Sequence, residues 1–389
     1  EQAGIKASEF RSDQGELFQS EVIVIDVNKL KDEGKAKTIT TASLLSNNLL
    51  LVDEGHLGTA SGGGKWLEYR DALCNKGFSF EYSATFAQSS NANEKIRQTY
   101  TKAILFDYSY RHFYADGYGK QSQILNIDRA SAENQAFKYH MASLLAYYQQ
   151  LKVFADFESE LLPFNVEKPL WVFVSSSVTK GFDSKEANDM VKALQFINEV
   201  LTERQQAIGA IDALLKSGFV GNGGVDYLHG RFNYLKGLSQ SAEDLYDDLL
   251  KKVFHSSGGN LYLENITGEP GEIALRAGTS ETVFGVINVG DDARLIKLCG
   301  EHGLLSQDCR FKGSLFASIN DQHSSVNLLF GSKRFSAGWS SWRVSCMTLL
   351  NVGKSNGAQI IQLFGRGVRL KGWESSLKRS AELLTQLDK

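Results

Sequence analysis

The sequence predicts an α/β fold with parallel sheets, and two observations carry that expectation. Short apolar runs alternate with stretches of helical periodicity through most of the chain. The 389 residues are 42% apolar and 22% charged, which is ordinary globular composition and excludes a wholly disordered or fibrous chain. At roughly 100–200 residues per domain, that length corresponds to two or three domains.

Each element follows in order. Glu21–Val27 and Leu49–Val52 read as buried strands. Leu67–Lys76 forms a helix and Phe78–Ser83 a further strand. Gln135–Phe154 is a long helical stretch rich in Ala, Leu and Tyr. Leu161–Pro169 holds two of the three prolines in the chain, so the boundary between two lobes is expected there, dividing 1–165 from 166–389. Leu170–Ser175 is then a strand, and Ser184–Leu201 a helix with Ser184 as its cap. Glu203–Lys216 and Ser241–Phe254 are helices separated by the glycine-rich Gly218–Gly224. Leu261–Ile287 is rich in β-branched residues around Gly268-Glu269-Pro270-Gly271, the signature of a hairpin. We therefore expect a helical and hairpin insertion over about 202–288. The alternation resumes with helix Ala293–His302, strands Val326–Phe330 and Val344–Leu350, helix Gly357–Gly365, and a final helix Ser375–Leu387.

Composition narrows the function classes. No run approaches the ~20 apolar residues of a membrane helix, so no membrane partner is expected. Four cysteines are too few for a disulfide scaffold. The amino terminus, Glu1-Gln2-Ala3-Gly4, has neither Met nor a signal-peptide pattern, which suggests a cytoplasmic protein lacking its true start. The net charge of −3 conceals an asymmetry. Gly331–Lys389 holds ten Lys/Arg against three Asp/Glu. Such a basic region on an acidic body is a surface for nucleic acid or nucleotide phosphates, or simply a solvated helix face.

Three constellations carry chemistry. Leu49-Leu50-Leu51-Val52-Asp53-Glu54-Gly55-His56 puts two carboxylates at the C-terminal end of a strand, the edge where α/β proteins bind ligands. One carboxylate is suited to Mg²⁺ and its neighbour to orienting a water that attacks a γ-phosphate, with a capped helix start as the alternative. Ser83-Ala84-Thr85 lies at the end of the next strand. A right-handed crossover returns that strand in the same direction, so both ends open on one edge. A hydroxyl-rich turn is the alternative. In Gln359–Arg369, the residues Gln362, Arg366 and Arg369 are spaced four and three apart on one helix face or at its end. Arginine forks suit phosphate oxygens.

These residues resemble a family. Asp53-Glu54-Gly55-His56, Ser83-Ala84-Thr85 and Gln362-x-x-Gly365-Arg366-Gly367-x-Arg369 look like motifs II, III and VI of superfamily-two helicases of the DEAD/DEAH type, in matching order and spacing. Ser332–Trp339 sits where motif V lies, and Trp171–Ser175 resembles motif IV. The phrasing is most similar to the Res subunits of type III restriction-modification enzymes. The resemblance implies two RecA-like P-loop NTPase lobes, the first truncated at its N-terminus, forming an ATP-driven motor on double-stranded DNA in a restriction or phage-defence system. It implies ATP and Mg²⁺ as cofactors and a modification or specificity subunit as a partner. Asp53 is then the Mg²⁺ residue and Glu54 the positioner of water, while His56, Ser83 and Thr85 couple nucleotide state to the DNA path. Arg366 and Arg369 reach the γ-phosphate, Gly338 and Gln362 shape the cleft, and Ser175, Ser332 and Lys333 contact nucleic acid. An RNA helicase and a non-hydrolysing, helicase-like DNA- or protein-binding module are the alternatives.

One departure stands out. Gly-x-x-x-x-Gly-Lys-Ser/Thr, whose amides cradle phosphates in such motors, does not occur. Gly353-Lys354-Ser355 has Thr348 where the first Gly belongs, and Gly62-Gly63-Gly64-Lys65 is followed by Trp66. The resemblance therefore implies a piece of a larger motor, inactive alone. No nuclease residues are assigned. Tyr108–Tyr114 interleaves aromatics and cations suited to base stacking or to core packing, and Cys299-x-x-His302 with Cys309 lacks a fourth zinc ligand.

Overall fold

The computed structural model describes residues 7–9, 22–31, 38–44, 47–58, 64–86, 94–125, 135–175, 185–221, 224–308, 313–331, 339–350 and 357–387. The chain divides into two compact units, Glu1–Asp107 and Tyr108–Lys389.

The first unit contains pairs of parallel strands: β1 (Ala7–Glu9) with β2 (Val22–Val24), β3 (Leu30–Lys31) with β4 (Ile39–Thr40), and β5 (Leu49–Val52) with the strand Phe78–Glu81. Helix α1 (Gly64–Leu73) links β5 to that last strand, β6, and α2 (Glu94–Lys102) follows. The β5–α1–β6 unit is the expected parallel crossover, in register from Leu49↔Phe78 to Val52↔Glu81. Among the described residues the core of the first unit gathers Leu30, Ile39, Tyr69 and Leu73, with Leu50, Trp66 and Cys74 packed around them. The turn from α1 into β6 closes at Gly77, where a Cβ would lie 2.0 Å from the Asn48 carbonyl oxygen. The strand expected over Glu21–Val27 stops at Val24. Asp26 accepts a hydrogen bond from the Asn28 N–H at 2.8 Å and starts a 3₁₀ turn over Val27–Lys29 instead.

The second unit opens with α3 (Tyr110–Ala115) and α4 (Ala136–Asp156), followed by β7 (Leu170–Ser175). Helices α5 (Lys185–Thr202), α6 (Arg204–Ser217) and α7 (Ala242–Phe254) come next. Then follow β8 (Leu261–Asn265), β9 (Glu272–Ala277), β10 (Gly285–Asn288), α8 (Asp292–Glu301), β11 (Leu305–Asp308), β12 (Leu328–Gly331) and β13 (Val344–Leu350). Helices α9 (Gly357–Gly367) and α10 (Ser380–Leu387) end it.

Seven strands form one sheet in the order β11-β8-β9-β10-β12-β7-β13. Only β9 pairs antiparallel with its neighbours, so the other six run one way. All six residues of β7 are buried, as a parallel strand covered on both faces requires. Trp171 and Phe173 face the larger core with Phe330 and residues of α4, α5, α6 and α7. Leu170, Val172 and Val174 face a second core with Val286, Leu329 and Leu363 of α9. The fold is thus mixed α/β around a large, mostly parallel sheet. Among the described residues no helix is long and apolar enough to cross a membrane.

Two expectations about organisation are corrected. The division between units falls at Asp107/Tyr108, not near Pro163–Pro169. Helix α4 packs against the large sheet: Met141, Leu144, Leu145, Tyr147 and Tyr148 are fully or almost fully buried, and the Tyr147 hydroxyl sits 3.1 Å from the Pro169 carbonyl and 3.0 Å from that of Asn327. Pro163 belongs to a 3₁₀ turn and Pro169 precedes β7, so the prolines mark local turns within one unit. The segment 202–288, expected as an insertion, is built into the large sheet. The hairpin forms, with Leu261↔Ala277 through Asn265↔Ile273 paired, but β8, β9 and β10 are internal strands of the large sheet. Helices α6 and α7 supply Ile211, Leu214, Leu245, Leu249 and Val253 to its main core.

Candidate functional site

The acidic turn grows directly out of β5. Its apolar run ends at Val52, whose carbonyl accepts from the Tyr82 N–H at 2.9 Å, and the Gly55 N–H returns a bond to the Tyr82 carbonyl at 3.0 Å. The two strand ends are therefore stitched together just past the sheet. Glu54 takes a left-handed conformation (φ +52°), and its N–H donates to Asp53 Oδ1 at 2.9 Å. A Cβ on Gly55 would come within 2.9 Å of both Glu81 Oε2 and the Phe86 ring, so a side chain there would have to displace its neighbours.

His56 turns inward from this loop and is 5% exposed, whereas the Asp53 carboxylate stays exposed. The His56 Nδ1 lies 2.8 Å from Ser83 Oγ and 3.2 Å from Glu54 Oε2. Ser83 Oγ in turn accepts from the Thr85 N–H at 3.0 Å and is 3.4 Å from Thr85 Oγ1, on a fully buried Thr85. With a proton on Nδ1, the imidazole donates to Glu54 or Ser83. Without it, the Ser83 hydroxyl donates to the ring. The expected meeting of the Asp53–His56 and Ser83–Thr85 segments is thus realised by direct side-chain bonds.

Beneath the turn lies a network that spacing in the sequence does not announce. Glu81, the last residue of β6, accepts from Arg70 Nη1 (2.9 Å to Oε1) and from the Tyr100 hydroxyl (2.8 Å to Oε2), and Arg70 Nη1 is 3.2 Å from the Tyr100 oxygen. Burial works against the Arg70 charge, but hydrogen bonds to Glu81 and Asp71 more than offset it and raise its pKa. Burial, with the Glu81 bond, raises the Tyr100 phenol well above its usual value.

The third constellation sits in the second unit. Leu363 and Val368 turn into the core, leaving Gln362, Arg366 and Arg369 half-buried on or just beyond α9. Arg366 donates to the Trp339 carbonyl, and Arg369 Nη1 to Ser340 Oγ at 2.5 Å. Both thus bond to the segment immediately after Gly338. Gly338, Ser332 and Lys333 themselves lie outside the described residues. Ser175 is 1% exposed and pairs with Leu350, so its side chain is not presented to a nucleic acid.

The described cations of the basic C-terminal region are likewise engaged within the second unit. Among the described residues, Arg343 is buried and donates to the carbonyls of Lys168 (2.9 Å), Val326 (2.6 Å) and Ile319. Arg379 stacks 3.9 Å above Tyr114 and donates to its carbonyl and those of Tyr118 and Gly119. Lys371 pairs with Glu167, and Lys378 lies over the Tyr118 ring. These cations hold the fold together, which favours the structural reading of the charge asymmetry. The Tyr108–Tyr114 segment belongs to the same assembly, with Tyr110 against Phe364 at 4.9 Å. Among the described residues no group of three or more His, Cys, Asp or Glu could hold a metal. Compared with protein-family models and with curated proteins, the chain matches none.

Proposed function

We propose that this chain is motor machinery of an ATP-dependent DNA helicase or translocase, cytoplasmic and serving a restriction or phage-defence system, with RecA-like lobes and a modification or specificity subunit as partner. The observation that carries the reading is the 2.8 Å bond between His56 and Ser83, which joins the acidic turn to the hydroxyl-bearing loop at one end of β5 and β6. A motor needs such a link, because hydrolysis at one loop must be felt by its neighbour. Mg²⁺ is commonly held by one or two carboxylates together with substrate phosphates rather than by an all-protein cage. The exposed Asp53 carboxylate is a donor of that kind, and the metal would supply charge neutralisation at the phosphates. Glu54, kept near His56, would orient the attacking water, and the resemblance gives Arg366 and Arg369 of the second unit the role of neutralising charge on a phosphoryl group.

The reading places the phosphate anchor outside these 389 residues, so the chain alone is expected to show no measurable turnover. In the complete protein, Arg366→Ala should lower kcat by about 10³-fold or more with nucleotide affinity little changed. Duplex DNA should stimulate turnover more than RNA does. Unchanged turnover, or a parallel loss of nucleotide binding, overturns the assignment. A second reading, a helicase-like binding module without hydrolysis, is favoured by the missing phosphate loop and by the engagement of both arginines with Trp339 and Ser340. It predicts DNA or protein binding that is indifferent to nucleotide.

A further inference from the structure

We propose that Arg70, Glu81 and Tyr100 are positioning residues for the acidic turn, tying it to the stretch of chain that leaves the first unit. The proposal takes its functional meaning from the motor reading, but its test does not depend on it. Glu81 is the floor of the turn: a Cβ on Gly55 would meet Glu81 Oε2 at 2.9 Å and Glu81 Cβ at 3.0 Å. That carboxylate is fixed from two directions, by Arg70 of α1 at 2.9 Å and by Tyr100 of α2 at 2.8 Å. The Tyr100 ring also packs 5.3 Å from Phe86, the residue after Thr85. One side chain of α2 therefore touches what underlies both loops, through Glu81 to Gly55 and through Phe86 to Ser83–Thr85. The His56–Ser83 bond spans those loops, so a displacement of Tyr100 is read at His56.

Tyr100 lies two residues before the end of α2, and the chain then runs through Ala103–Asp107, outside any helix or strand, to the unit boundary. A three-group network held only for stability would need neither contact with the acidic turn nor placement at the exit of the unit.

The test reads His56 by imidazole ¹H–¹⁵N correlation spectra of the 389-residue chain, with His56→Gln to assign the signal. Tyr100→Phe removes the bond to Glu81 and keeps the ring beside Phe86, and Glu81→Gln tests the same path from its centre. The expected result is a displaced His56 signal in both variants, the other six histidines unmoved and cooperative thermal unfolding retained. An unmoved His56 signal in both variants overturns the proposal, as does a shift shared by all histidines with loss of cooperativity. In a separate arm, Mg²⁺–ATP is added to the complete wild-type protein. Failure of nucleotide to move the same signal there counts against the motor reading and leaves the positioning result to be judged on the variants.

Discussion

Two glycines show how one substitution takes opposite signs at different residues. Gly209 lies inside α6 with no atom within 4 Å of a built Cβ. Alanine there relieves the backbone entropy cost of a helical glycine, and Gly209→Ala should stabilise the second unit by about 0.5–1 kcal/mol. Gly55 is confined by Glu81 and Phe86, each 2.9 Å from its Cβ position. Gly55→Ala must displace a carboxylate already held by Arg70 and Tyr100, and should cost about 1–3 kcal/mol. Hydrogen exchange of peptides from each unit checks the pair: protection should rise across α6 in the first variant and fall across 64–86 in the second. Equal protection of 64–86 in Gly55→Ala and wild type would show that the floor beneath the turn gives way freely.

At the scale of elements, α7 is the helix whose start is best defined chemically. Ser241 Oγ accepts from the Asp244 N–H at 3.1 Å while Asp244 Oδ2 accepts from the Ser241 N–H at 3.2 Å, a reciprocal capping box. Ser241→Ala should lower stability by about 1 kcal/mol, read as a shifted urea midpoint. Asp244→Ala, which breaks the reciprocal bond, should shift it in the same direction. Elements of this kind were legible because their signals are local. Helices α5, α6, α7 and α8 and strands β5 and β13 lie within a residue or two of the positions that periodicity assigns them, while the expected cap Ser184 lies outside the described residues. The approach of the Ser83–Thr85 hydroxyls to the Asp53-Glu54 turn is legible for a different reason, since a right-handed crossover leaves β6 only one direction to run, but that His56 is the residue Ser83 meets is not. Strand β11, Leu-Ser-Gln-Asp, was not, because four residues with one apolar side chain carry no period. Proline chemistry does not locate the unit boundary, because it reports a local turn and says nothing about which sheet the preceding helix covers. Arg70, Glu81 and Tyr100 are 11 and 19 positions apart along the chain, and only tertiary packing brings them together.

Over the whole molecule, the buried titratable groups of the second unit set an unusual dependence of stability on pH. Burial lowers Lys120 from 10.5 to about 8, where its Nζ donates to the carbonyls of Trp342 and Val344. Burial, with the nearby Arg343 charge, does the same to Lys168. Between about 8 and 10.5 the unfolded chain keeps both protons while the folded one sheds them, so stability rises with pH. Cys299 and Cys346 act oppositely. Burial pushes both thiols from 9.0 up to about 12, so above 9 the unfolded state loses protons that the folded state retains, and stability falls. Tyr147 and Tyr148, raised chiefly by burial and in Tyr148 also by its bond to Asp248, add to that decline above 10. On the acid side, His140 and His255 are half-buried, and the loss of solvent lowers both from 6.5, so protonating them as pH falls below that value also costs stability. The expected profile climbs through 6.5, climbs again by about 1–2 kcal/mol between pH 8 and 9, and turns over near 10. Urea titrations followed by tryptophan fluorescence report mainly on this unit, because Trp171, Trp339, Trp342 and Trp373 lie in it and only Trp66 in the other. Lys120→Met combined with Lys168→Met should flatten the rise between 8 and 9 and leave the decline above 10 in place. A rise that persists in the double variant would assign the alkaline optimum to groups other than these two lysines.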